Sequence, residues 1–171
     1  MKNLFESKYK IVYLFDVIDQ ESSCRIISEI MDKCYSSDKV ILLINSPGGS
    51  VIDALAVYDV IHYYKDKIIT VGAGIVGSIA TLLFTSAKKG NRYLFKHTTV
   101  HIHLPMGITE IDEERNKELV TEEMRLTHLV TKLFLKHTDN TLDLSNIKQK
   151  ENVIFNANDA VNIYKLADFL I

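Results

Sequence analysis

The sequence predicts an α/β protein whose strands run largely parallel. Short continuous apolar runs alternate with segments of helical periodicity, and glycine-containing turns punctuate the joins. The chain has 171 residues, enough for one domain with a sizeable core and short for two, so 1–171 is read as a single domain.

IVYLF (11–15) has the apolar, β-rich character of a strand, and Ser22 or Ser23 is placed to cap a helix reaching about Cys34. Cys24, Ile27, Met31 and Cys34 recur at helical spacing, which predicts a buried stripe rather than a thiol pair. VILLIN (40–45) reads as a buried strand covered on both faces. Pro47-Gly48-Gly49 breaks it, and Ser50 opens a helix with Val51, Leu55, Tyr58 and Ile61 on one side. Residues 67–71 form a third strand, followed by a glycine stretch and a helix to about Ser86. Residues 92–95 and 98–104 are extended. A long amphipathic helix spans about Asp112 to His137, carrying Leu119, Leu126, Val130 and Leu133. Shorter helices near 142–149 and from Asn158 complete the expected order.

Composition narrows the function classes. Hydrophobic residues make up 47% and charged ones 25%, the balance of a folded domain. A formal charge of −2 offers no basic footprint for nucleic acid. The N-terminal stretch lacks a long apolar run and a small-residue cleavage site, so no secretory leader is expected. With no C-x-x-C pair, a reduced, cytoplasmic setting fits.

Residues 71–83, VGAGIVGSIATLL, admit three readings. A membrane span from Ile68 to Ala87 would be long enough, but three glycines and three threonines dilute it, and its start continues the strand–helix alternation. The pattern G-x-G-x-x-G at Gly72, Gly74 and Gly77 suggests a dinucleotide site. That site needs an acidic residue about twenty positions on, and none occurs between Asp66 and Glu110. Third, Ser78 follows a glycine turn at a helix start, where free N–H groups and the positive dipole end would assist a nucleophile. A serine there also simply caps a helix.

HTTVHIHLP (97–105) places His97, Thr99, His101 and His103 on one face of an extended segment, with Val100 and Ile102 on the other. A histidine at the end of such a strand suits a general base. His-x-His also suits a metal, yet no Cys, Asp or Glu lies nearby to complete a ligand set. NSPGGS (45–50) leaves bare backbone N–H groups at a helix start, a ready oxyanion site.

INSPGGSV (44–51), GIVGSIA (74–80), KGNRY (89–93) and VHIHLP (100–105) together resemble, in order and spacing, the proteolytic subunit of the Clp ATP-dependent protease, the ClpP family. The likeness runs without an evident gap from about Lys39 to Ala160. It implies a crotonase-like spiral of β-β-α units with a long protruding handle helix, and no cofactor or metal. It also implies Ser78 as nucleophile, His103 as base, and the N–H groups of Gly49 and Ile79 as oxyanion donors. The implied partners are peptide or unfolded protein, other copies of the chain in heptameric rings joined by the handle, a Clp-type ATPase, or a paralogous subunit.

Departures from the pattern accompany the likeness. The triad acid falls on Asn152, an amide, and the usual arginine before it is Glu151. About nine residues precede the first strand, so a curtailed axial segment is expected, and the glycine-rich strand after His103 retains only Gly107. The expectation is a serine-type peptidase in which Asn152 orients His103. A non-catalytic ring subunit and a thioester-handling crotonase-fold enzyme are the rivals.

Overall fold

The computed structural model describes residues 4–5, 9–103, 116–138 and 153–171, with the side chains of 116–120 excepted. Seven strands are present among these residues: β1 (Lys10–Leu14), β2 (Val40–Ser46), β3 (Ile68–Gly77), β4 (Arg92–Leu94), β5 (Thr99–Ile102), β6 (Val153–Asn156) and β7 (Phe169–Leu170). Five helices accompany them: α1 (Gln20–Ser36), α2 (Val51–Tyr63), α3 (Ile79–Thr85), α4 (Asn116–His137) and α5 (Ala157–Asn162).

One sheet runs β1-β2-β3-β4-β7, and every pair along it is parallel. β3 serves two neighbours on its far edge. Its first part, Thr70–Gly72, pairs with Arg92–Leu94 of β4. Its second part, Ile75–Gly77, pairs with Thr99–His101 of β5. Between the two, the β2–β3 register shifts, and Asn45 Oδ1 accepts a hydrogen bond from Ile75 N at 3.0 Å, which fixes the irregularity. β6 adds antiparallel to β5.

The main core lies between this sheet and the helices. Val12, Leu14, Leu42, Ile44 and Ile68 from the strands meet Ile26, Ile30, Ala54, Ile61, Leu83 and Phe84 from the helices, all fully buried. Burial of side chains of this size from water supplies the dominant favourable term in folding. The other sheet face carries a smaller cluster, Ile41, Ile69 and Val71 under Leu4, Tyr9, Tyr93 and Ile171. VILLIN is therefore covered on both faces, but unequally: Leu43 is only half-buried, and Tyr13 on β1 is exposed.

Several local expectations are corrected. Asp19 caps α1, accepting from Ser22 N at 2.8 Å, while Ser22 Oγ accepts from Asp19 N at 2.9 Å. The capping box thus starts three residues before Ser22, because the aspartate and serine satisfy each other's orphan N–H groups. The buried face of α1 is Ile26, Ile30 and Cys34, not the Cys24–Ile27–Met31–Cys34 stripe. Cys24 and Met31 are exposed. The third strand continues through the glycines to Gly77 instead of stopping at Val71. The chain end from Asn158 is a short helix followed by β7, not helix alone. The expected helix at 142–149 and the first residues of the long helix lie outside the described residues.

Candidate active site

Three neighbouring parallel strands bring the motif residues together. In the order β2-β3-β5, each strand's carboxyl end leads directly to one motif, and ligands of parallel sheets bind outside those ends. Gly49 follows β2, Ser78 follows β3, and His103 stands one residue beyond β5. Gly49, Ser78, Ile79 and His103 line one cleft of about 230 Å³. Val51 of α2 and Val130 and Phe134 of α4 complete its walls. The amphipathic pattern of α4 marked Val130 as core-facing, but no local signal in the sequence linked α4 to this cleft.

Ser78 occupies the N-cap position of α3 without making a side-chain capping bond among the described residues. A capping serine would adopt extended backbone and bond the first turn. Ser78 instead has φ 52° and ψ −129°, a conformation that L-residues rarely hold, as in the sharp turns that present nucleophiles. Neighbouring contacts hold it there. Ser78 N donates to His101 O at 2.7 Å, and Thr81 Oγ1 donates to Val76 O at 3.0 Å. The turn at Ser78 and the strand leading to His103 are thereby pinned to each other.

The Pro47-Gly48-Gly49 turn is built from a distance. Ser46 Oγ donates to Asp16 O at 2.6 Å and accepts from Gly48 N at 3.2 Å. Ile18 N donates to Gly48 O at 2.8 Å, and Ser50 N donates to Ile18 O at 2.7 Å. These two bonds form a parallel bridge between Ile18 and Gly49. In such a bridge the N–H of Gly49 is turned away from Ile18. Ile79 is the first residue of α3, so its N–H has no intrahelical acceptor. Both donors belong to residues lining the cleft. Asp16, Ile18 and Ser46 were not legible as site supports, since nothing in their local sequence connects them to the glycines.

Val100 and Ile102 are buried, His97 is exposed, and the His101 and His103 rings lie 5.4 Å apart, tilted. The alternation expected of this segment therefore holds over its described residues, 97–103. Among the described residues, no group of three His, Cys, Asp or Glu is arranged to hold a metal ion. No described helix is long and apolar enough to cross a membrane. The glycines of the G-x-G-x-x-G pattern lie along β3 rather than in a turn opening a helix, apart from Gly77 at its end. Asn152 and Glu151 lie outside the described residues.

The family described as Clp protease matches residues 2–171. Among curated relatives, an ATP-dependent Clp protease proteolytic subunit of Bigelowiella natans is 27% identical over 168 residues, covering 96% of this chain and 85% of its own. The protein of the same name from Carsonella ruddii (strain PV) is 32% identical over 138 residues, covering 79% of this chain and 70% of its own. The ATP-dependent Clp protease proteolytic subunit 2 of Thermobifida fusca (strain YX) is 36% identical over 103 residues, covering 58% and 50%. Identity to single relatives is modest, but the family pattern extends over all but the first residue, and the parallel-dominated α/β sheet agrees with it: this chain belongs to the Clp protease family.

Proposed function

We propose that the chain is a serine-type peptidase working through an acyl-enzyme. The observation that carries this reading is the convergence of Gly49, Ser78, Ile79 and His103 on one cleft from separate strand ends. Ser78 Oγ attacks the scissile carbonyl carbon while His103 takes its proton. The oxyanion that forms is held by the N–H groups of Gly49 and Ile79. His103 then gives the proton to the departing amine, and the C–N bond breaks to leave an ester on Ser78. Water attacks that ester with His103 again as base, releasing the carboxylic acid and restoring Ser78. The apolar walls at Val51, Val130 and Phe134 favour an apolar side chain on the acyl side of the cleaved bond.

Asn152 is assigned to orient His103. An amide oxygen can accept from the ring but adds no charge to stabilise the imidazolium, so turnover is slow. The family relation supports assembly of 1–171 as a single domain into heptameric rings, with α4 within the joining handle. It also supports a cytoplasmic setting and an ATPase feeding unfolded protein. The amide at position 152 also favours a second reading, a ring subunit that supports an active paralogue.

A fluorophosphonate probe separates the two. Labelling confined to Ser78, lost in Ser78→Ala, together with hydrolysis of a small peptide ester, is the expected result. No labelling across pH and assembly states would leave the scaffold reading standing.

A further inference from the structure

α1, α2 and α5 share one way of starting. Their N-caps, Asp19, Ser50 and Asn156, have extended backbone, and each side chain accepts from the N–H three residues on. On α1 the third residue also reaches back, Ser22 Oγ accepting from Asp19 N at 2.9 Å. At α3 the same two positions hold Ser78 and Thr81, a pair with the hydroxyls to close such a box. They do not close it. Ser78 N donates to His101 O at 2.7 Å, and Thr81 N donates to the backbone oxygen of Ser78 at 3.0 Å.

The Thr81 hydroxyl is turned away from the helix start, toward the two strands beside it. Oγ1 donates to Val76 O at 3.0 Å and lies 3.3 Å from His101 O, so one proton is shared between two carbonyls. Thr81 is fully buried, where water cannot stand in for either acceptor. Val76 precedes Ser78 on β3, and His101 stands on β5 two residues before His103. The bond to Val76 therefore joins the chain before the Ser78 N–Cα axis to the chain after it. Turning φ from 52° to the extended value of a cap swings one side against the other and breaks that bond. His101 O adds a second tie, since it receives both the Ser78 N–H and a share of the Thr81 proton.

We propose that Thr81 is a positioning residue whose hydroxyl holds Ser78 in the left-handed turn and denies it the relaxed role of helix cap. Ser78 Oγ is thereby left to the cleft. This rests on the reading of Ser78 as the proposed nucleophile, and Thr81 acts through Ser78 without touching substrate.

Thr81→Val keeps the shape and removes the hydroxyl, whereas Thr81→Ser keeps the hydroxyl and removes the methyl. Thr85→Val is the control: Thr85 is equally buried on α3, but its hydroxyl donates to Leu82 O inside the helix at 3.1 Å. Two readouts are taken on the full-length, assembled protein: hydrogen exchange of the peptide carrying the Ser78 amide, and hydrolysis of a small peptide ester. In Thr81→Val, exchange should quicken and kcat fall, each by about tenfold or more, with KM within about twofold, because misplacing the attacking atom acts on kcat. Thr81→Ser and Thr85→Val should both stay within about threefold of the parent. Parent-like values in Thr81→Val would overturn the proposal. So would a loss in Thr81→Ser as deep as in Thr81→Val, or an equal loss in Thr85→Val. If the thermal melt shows Thr81→Val unfolded, Thr81→Ala against Thr81→Ser makes the same comparison, since those two differ only in the hydroxyl oxygen. A parent that neither hydrolyses the ester nor takes a fluorophosphonate at Ser78 sinks the peptidase reading, and the exchange comparison then decides alone whether Thr81 holds the turn.

Discussion

A methyl group added at Gly48 would stand 2.6 Å from Ser78 Cβ and 2.8 Å from Gly77 O. Neither neighbour is a flexible side-chain end, so the turn that presents Ser78 must move. At Gly49 the same addition would collide first with the backbone of Ile18, breaking the bridge that orients the donor. Gly48→Ala is therefore the cleaner probe of the turn at Ser78. It is expected to lower peptide hydrolysis by about a hundredfold or more, the scale on which oxyanion geometry acts. Gly90, at φ 87° with open space around its Cβ position, is the control. Gly90→Ala carries backbone strain of about 1 kcal/mol or somewhat more and leaves the rate unchanged. Equal rate losses in the two variants would show that the contact with Ser78 does not matter. Asn152 calls for the opposite experiment. An acid-to-amide change costs about 10⁴ in kcat where a Ser-His-Asp triad operates. Asn152→Asp is expected to raise small-peptide hydrolysis by about tenfold or more, and an unchanged rate with assembly intact would remove Asn152 from the site.

The C-terminal end of α4 meets the sheet through a buried polar network. Arg92 is almost fully buried and grips Asp168 through Nε at 3.0 Å and Nη2 at 2.6 Å, while its Nη1 donates to His137 O at 3.0 Å. His137 in turn meets Tyr58 OH, and the Tyr58 ring stacks on His62. A histidine held near pKa 4 binds fewer protons when folded than the unfolded chain, whose histidines titrate near 6.5. Stability from this group is therefore full above about pH 6.5 and lost as pH falls toward about 4. Denaturation midpoints measured across that window should decline, and His137→Gln should flatten the decline. A variant with the parent's slope would place the acid sensitivity elsewhere. Elements such as β2 and α2 were legible because their apolar pattern and punctuation agree with their fold. The two-residue β7 and the antiparallel β6 were not, since strands so short carry little period, and their pairing with β4 and β5 decides them. Likewise Ser78, His103 and Gly49 were legible through motifs, whereas Phe134 reaches the cleft only through the packing of α4.

At the scale of the proposed assembly, the informative position is Glu151. The resemblance to the ClpP family implies a basic residue there, in an ion pair between rings, and a carboxylate cannot make that pair. Like charges meeting across a junction repel, and salt screens them. A double ring of the proposed subunits is expected to be weak at low ionic strength, firmer in salt, and strengthened by Glu151→Arg. Sedimentation velocity that finds a closed double ring in parent and variant alike, indifferent to salt, would count against this.

The left-handed backbone at Ser78 sets the proposed activity against endurance. A residue forced into that conformation costs on the order of 1–3 kcal/mol, and glycine alone is exempt. Part of that gain is offset because glycine also frees the unfolded chain. Ser78→Gly should nonetheless outlast the parent on heating, by about 2–4 °C for each 1 kcal/mol recovered. Ser78→Ala, which equally lacks the proposed nucleophile but keeps the strain, should melt close to the parent. Coincident melting of the two inert variants would mean that the turn holds no strain to release. Otherwise the most heat-resistant form of this protein is one that has given up its proposed nucleophile, and screening for thermal tolerance alone would select against the proposed activity.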